Sequence, residues 1–203
     1  MERAEKKHLI RENIIKALFD LLSEKKWGDL SSNEICTRAD ISKRTLYVYF
    51  RSQDEMYLAI VKRSFESLMG DMSKAFSIGR TAKEKLVNLG QAYLYFMIDN
   101  PIKGSLIVGY DEMNYVVNYP EQVESIQAIA NNFELMTIFQ KLDLDPIIFN
   151  QHLAIFLWGH LQGIAQLINS KGEWLADYYG LTMEAMIDAQ IKLASDLLEG
   201  VEK

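Results

Sequence analysis

Apolar residues recur at spacings of three and four along almost the whole chain, and this period restricts the fold more than any other feature. Ile10, Ile14, Ala17, Leu18 and Leu21 form one such stripe, as expected for one face of an amphipathic helix. Leu86, Leu89, Tyr93 and Phe96 form a second, and Ile126, Ile129, Phe133, Met136 and Ile138 a third. Leu153 to Ile168 is apolar on more than one side, as a helix buried between neighbours would be. A last stripe holds Met186, Ile187, Ala189, Ile191, Ala194 and Leu198. No alternating run rich in β-branched residues competes with these. Pro101, Pro120 and Pro146 fall between periodic stretches and read as helix starts or breaks. Trp27-Gly28 is expected to close the first helix, with glycine as the left-handed residue. The chain therefore reads as all-α, with about nine or ten helices.

Composition narrows the setting. At 203 residues and 49% hydrophobic, the chain can bury a substantial core. Its apolar run Leu153 to Gly159 is far shorter than the roughly 18 residues of a membrane span. The opening MERAEKKH is charged, unlike a secretory leader, and one cysteine allows no internal disulfide. A cytoplasmic setting is expected. Net charge is −6, which taken alone argues against a nucleic-acid partner. The charge is unevenly spread, however. Residues 1–63 hold 13 Lys and Arg against 10 Asp and Glu, whereas the remainder holds 9 against 18.

The densest local chemistry lies in residues 30–56. Ser31 and Glu34 form a capping box for a short helix ending near Arg38, with Leu30 and Ile35 placed as a hydrophobic staple. Asp40 falls where the following turn needs positive φ, a conformation aspartate tolerates. Ser42 is placed to cap a second helix, Lys43 to about Tyr49. Two short helices across such a turn are the geometry of a helix-turn-helix, whose second helix enters the DNA major groove. Ser42, Lys43, Arg44 and Thr45 crowd its first turn, where side chains reach phosphates and base edges. Leu46 and Phe50 would face inward, with Tyr47 and Tyr49 flanking them and their hydroxyls free for phosphate. Ser52 with Glu55 makes a second capping box, opening a helix that carries Met56, Ile60 and Ser64 on one side.

The run Ala39-Asp40-Ile41-Ser42-Lys43-Arg44-Thr45-Leu46-Tyr47-Val48-Tyr49-Phe50 resembles the DNA-binding head of the tetracycline-repressor (TetR) family. The resemblance covers residues 8–65. It implies an all-helical homodimer with a three-helix head at residues 1–52 and a ligand-binding and dimerisation body at 53–203, entered through a connecting helix from about residue 53. It also implies that Ser42, Lys43, Arg44, Thr45, Tyr47 and Tyr49 contact double-stranded operator DNA. Two departures stand out: Asp40 replaces the family's turn glycine, and Gln53 replaces a backbone-contacting lysine.

The body names an architecture more readily than a ligand. Aromatic residues are dense there, and ligand pockets favour aromatic walls with a few polar groups. Tyr93, Phe96, Tyr110, Phe133, Trp158 and His160 are the candidate lining, with Asp111, Glu112 and Gln162 as polar anchors. The body's acidity favours a hydrophobic effector that is neutral or cationic. By the resemblance the last two helices dimerise, through Phe156, Gly159 and Gly163 on one and Ile187, Ile191 and Ala194 on the other. Cys36 reads as a small buried residue rather than a redox switch. His152 and His160 lack partners at metal-ligand spacing, so neither a metal nor another cofactor is expected. No nucleophile with a base and no phosphate loop supports an enzyme. The function expected is a ligand-responsive regulator that represses from a palindromic operator and is released by its effector. A same-family activator and a helical binding module without DNA readout are the alternatives.

Overall fold

The computed structural model describes residues 3–198, the side chains of Arg3 and Phe133 excepted. Ten α-helices and three short 3-10 turns make up these residues, and no strand occurs among them. The helices are α1 (Arg3–Leu22), α2 (Ser32–Arg38), α3 (Lys43–Tyr49), α4 (Gln53–Ile78) and α5 (Ala82–Asp99). They continue as α6 (Pro101–Gly109), α7 (Pro120–Ala130), α8 (Leu135–Lys141), α9 (Gln151–Tyr179) and α10 (Met183–Leu197).

The chain packs as two compact units. One comprises the residues up to Ser64 together with Ser105–Gln127; the other comprises Phe65–Gly104 and the residues from Ala128 onward. The first unit is thus discontinuous in sequence. Its core is the face of α1 carrying Ile14, Ala17, Leu18 and Leu21, closed by Ile35, Leu46, Phe50, Met56 and Ile60, all buried. Ser64 is fully buried on the same side of α4, where its hydroxyl donates to the Ile60 carbonyl at 2.8 Å and so meets its hydrogen-bonding need.

In the second unit α5 packs on α9 and α10. Leu86, Leu89, Tyr93 and Phe96 are buried on α5, and Asn169 of α9 donates to the Met97 carbonyl at 2.9 Å. Thr81 and Glu84 cap α5 reciprocally, Asn150 caps α9 and Thr182 caps α10. Gly180 ends α9 at φ 64°, a left-handed residue where glycine costs least.

Two expectations fail. The first helix ends at Leu22, before Trp27-Gly28, and those residues lie in a separate 3-10 turn, Trp27–Asp29. Trp27 is half-buried against α4, its ring 5.3 Å from that of Tyr57, so its apolarity marks packing rather than a helix end. The stripe from Ile126 to Ile138 is likewise not one helix. It breaks after Ala130 into a 3-10 turn, Asn131–Phe133, and restarts at α8, where the Glu134 carboxylate accepts from the Met136 and Thr137 amides.

Candidate nucleic-acid interface

Local hydrogen bonding fixes α2, the turn and α3. The Ser31 hydroxyl accepts from the Glu34 amide at 3.3 Å while the Glu34 carboxylate accepts from the Ser31 amide at 3.0 Å. Lys25 also pairs with Glu34, and this contact is the main reason its carboxyl is held at about 2. At the other end of α2 the Asp40 amide donates to the Thr37 carbonyl and the Ile41 amide to the Cys36 carbonyl. These two bonds form a Schellman motif around Asp40, which sits at φ 52°. Asn13 of α1 braces the turn by donating to the Ala39 carbonyl at 2.7 Å.

The Ser42 hydroxyl then accepts from the Thr45 amide at 3.1 Å, capping α3. Leu46 and Phe50 are both 0% exposed, which settles which face of α3 points inward. The Arg11 guanidinium lies 4.7 Å from the centre of the Phe50 ring and secures the far end of the helix. On the opposite face Ser42, Lys43, Arg44, Tyr47 and Val48 are exposed, while Thr45 and Tyr49 are half-buried. Neither Lys43 nor Arg44 pairs with a carboxylate among the described residues. The Tyr47 hydroxyl is not free as the sequence suggested: it hydrogen-bonds the Ser32 hydroxyl at 2.9 Å.

An open groove of about 640 Å³ runs along the turn, lined by Asn33, Cys36, Thr37, Asp40, Ile41, Ser42 and Lys43. Asn33 and Thr37 were missed by the sequence reading, as was Val48, which is 68% exposed on α3. An i, i+4 count from Lys43 and Arg44 would have found Tyr47 and Val48 together on the outer face. An exposed valine there suits a thymine methyl.

The candidate effector residues do not form one described cluster. Tyr93 of α5 donates to the Gln162 side chain of α9, and burial pushes its phenol upward. Phe96 is buried one turn further along α5, whereas Trp158 on α9 is 62% exposed. His160 stacks on Phe156 at 6.1 Å. Phe133 stands in the 3-10 turn, its side chain outside the described residues. Tyr110 belongs to the other unit, where burial is the main cause that pushes its phenol up to about 12. Asp111 and Glu112 are engaged locally, Asp111 accepting from the Met113 amide and Glu112 from Gln127.

Of the dimerisation candidates, Phe156 is 54% exposed, and a Cβ added at Gly159 or Gly163 would meet nothing within 4 Å. Ile187 is different. At 2% exposure it lies in the protomer's own core, because α10 turns that side of its surface inward, and Ile191 and Ala194 are half-buried. The large apolar residues that α10 leaves exposed are Met183, Leu193 and Leu197.

A helix-turn-helix with a capped, outward-facing basic helix, joined to a helical body, defines the class of DNA-binding regulators built from helices alone. Residues 14–60 match the bacterial regulatory proteins of the tetR family. A Haemophilus influenzae protein described as an uncharacterized HTH-type transcriptional regulator is 24% identical over 104 residues, which are 51% of this chain and 56% of that protein. The match therefore spans little more than half of that relative's length. A TetR-like transcriptional regulator from Rhodococcus sp. RHA1 has the same fold, with a TM-score of 0.65 at 21% identity over 98% of this chain and 99% of that one. So does the transcriptional regulator FadR from Bacillus subtilis, solved in complex with stearoyl-CoA, with a TM-score of 0.60 at 15% identity over 95% and 99%. Residues 14–60 thus carry the helix-turn-helix segment of the tetR family of bacterial regulatory proteins, and the described residues share the fold of these solved regulators.

Proposed function

We propose that this protein is a dimeric, cytoplasmic repressor that reads a palindromic operator through α3 and releases it when a small hydrophobic molecule binds the body. In this reading residues 1–52 are the reading head, and 53–203 bind the effector and dimerise. The observation that carries it is the outer face of α3. Lys43 and Arg44 stand there exposed and unpaired beside Tyr47 and Val48, while Leu46 and Phe50 anchor the opposite face. A helical carrier needs no such face.

Titrating the protein against DNA flanking its own gene at two salt concentrations tests the reading. Each phosphate contact contributes about 0.9 to the slope of log affinity against log salt, so Lys43→Ala with Arg44→Ala should lower that slope by about 1.8. Between roughly 50 and 200 mM salt the variant should lose about tenfold less affinity than the parent. Absence of any salt-sensitive, sequence-preferring binding would refute the proposal.

For the effector, one observation favours an anion over the neutral or cationic molecule that the body's acidity suggests. Lys103 of α6 is half-buried, donates to the Ser67 hydroxyl at 3.0 Å and lies 6.0 Å from the centre of the Phe96 ring. No carboxylate pairs with it among the described residues. An ammonium held by neutral groups gives an anionic ligand its counter-charge. An acyl-CoA such as the stearoyl-CoA of the FadR crystal joins an anionic head to an apolar chain. Lys103→Met should then abolish any preference for dodecanoate over dodecanol in thermal-shift titrations.

A further inference from the structure

The first unit contains a segment that sequence order separates from the head. Residues 110–119 are braced internally, with the Tyr119 amide donating to the Tyr115 carbonyl at 2.8 Å and the Val116 amide to that of Glu112 at 2.9 Å. This braced loop grips the first two turns of α4. At the helix start the Tyr119 and Ser52 hydroxyls are 2.6 Å apart, and the same Ser52 oxygen accepts from the Glu55 amide. One turn on, the Tyr57 ring is shared. It lies 5.5 Å from Tyr115 on the loop and 5.3 Å from Trp27 of the head, and Tyr110 extends the stack at 6.2 Å from Tyr115. Gln53 completes the arrangement by donating to the Leu30 carbonyl at 3.2 Å.

Each of these α4 turns is therefore held from both sides, by the head through Leu30 and Trp27 and by the loop through Tyr119 and Tyr115. We propose that Tyr115 and Tyr119 are positioning residues for DNA reading: they fix the angle at which α4 meets the α2–α3 pair without touching DNA themselves. In a dimer that angle decides which half-site separation two α3 helices match. The loop lies within Ser105–Gln127, a segment that packs with the first unit although second-unit residues precede and follow it in sequence.

The proposal rests on the DNA-reading function above, and the test separates the two. The full-length protein is titrated against an operator obtained by selection from random DNA, and against versions with one base pair added or removed between the half-sites. The parent should discriminate sharply among the three. Tyr119→Phe and Tyr115→Leu should each blunt that discrimination severalfold while binding a single half-site as the parent does. Tyr119→Phe should add nothing in a Ser52→Ala background, and Ser52→Thr, which keeps the hydroxyl, should retain parental behaviour. Unchanged spacing preference in both tyrosine variants would overturn the proposal, and so would a loss that merely follows a lower melting temperature. If the parent selects no operator at all, the regulatory reading fails first and this one with it.

Discussion

Replacing Asp40 by glycine should stabilise the first unit and tighten DNA binding slightly. Asp40 occupies the left-handed position of a Schellman motif at φ 52°. A residue with a Cβ pays about 1–2 kcal/mol in that conformation, aspartate toward the lower end because its carboxylate can hydrogen-bond locally. No such bond to Asp40 is present among the described residues, so roughly 1 kcal/mol of strain stands uncompensated. A carboxylate just beyond the C-terminus of α2 also faces the negative end of the helix dipole, worth about 0.3–1 kcal/mol. Against this, glycine loses about 0.4–1 kcal/mol through the greater freedom of the unfolded chain. The balance is a gain of about 0.5–1 kcal/mol, or about 1–4 °C in melting temperature for a chain of this size. Asp40 also lines the groove beside α3. Removing a charge roughly 8 Å from a phosphate relieves about 0.5 kcal/mol in a solvent-like dielectric, about twofold in affinity. Urea denaturation with an unchanged slope, alongside operator titration, measures both effects. Asp40→Val should go the other way by about 1–3 kcal/mol, because a β-branched residue is strained at positive φ. A destabilised glycine variant with a tolerated valine would refute the account of this turn.

Other changes test neighbouring parts of the structure. Gln53→Lys removes the hydrogen bond to Leu30, costing about 0.5–1.5 kcal/mol of stability. The added cation should nevertheless steepen the salt dependence of DNA binding by about 0.9. Glu34 titrates at about 2 when folded, against an ordinary 4.5, chiefly because Lys25 hydrogen-bonds it. A depressed folded value means that the stability it confers is present above pH 4.5 and is lost as the pH falls toward 2. Lys25→Met should flatten the melting temperature over that window. Phe156→Glu with Leu193→Glu should yield a folded monomer by sedimentation, since both side chains are exposed in the protomer. Ile187→Lys should unfold the chain instead, because Ile187 is 2% exposed.

What was legible in the sequence was chemistry that acts within a few residues. Ser31 with Glu34, positive φ at Asp40 and the Ser42 cap are all satisfied by neighbours three or four positions away, and all are present. What was not legible depends on partners distant in sequence. Trp27 looked like a helix end because nothing local reveals that Tyr57 receives it. Ile187 and Leu197 are equally apolar letters on one helix, and the packing of α10 on α5 and α9 decides which is buried. The stripe at 126–138 kept its spacing across a broken helix, since a 3-10 turn can carry an apolar face onward. Residues 105–127 pack in one unit with a segment that ends at Ser64, some forty positions earlier, and no periodicity encodes such a return.

The same distinction between local and summed quantities resolves the charge problem. A net charge of −6 counts every ionised group equally, but a phosphate backbone responds to cations that are both exposed and uncommitted. In the first unit Lys25 is committed to Glu34, Arg38 to Glu24 and Arg63 to Glu12. These pairs stitch α1, α2 and α4 together and contribute little field beyond their own neighbourhood. Pairing cancels basic and acidic residues in equal number, so a modest excess survives wherever acids run out. They run out on the first turn of α3, which carries no acidic residue and ends in solvent with Lys43 and Arg44. The sign of the whole chain is set by the body, whereas the sign that a DNA groove would meet is set by which cations the head leaves unpaired.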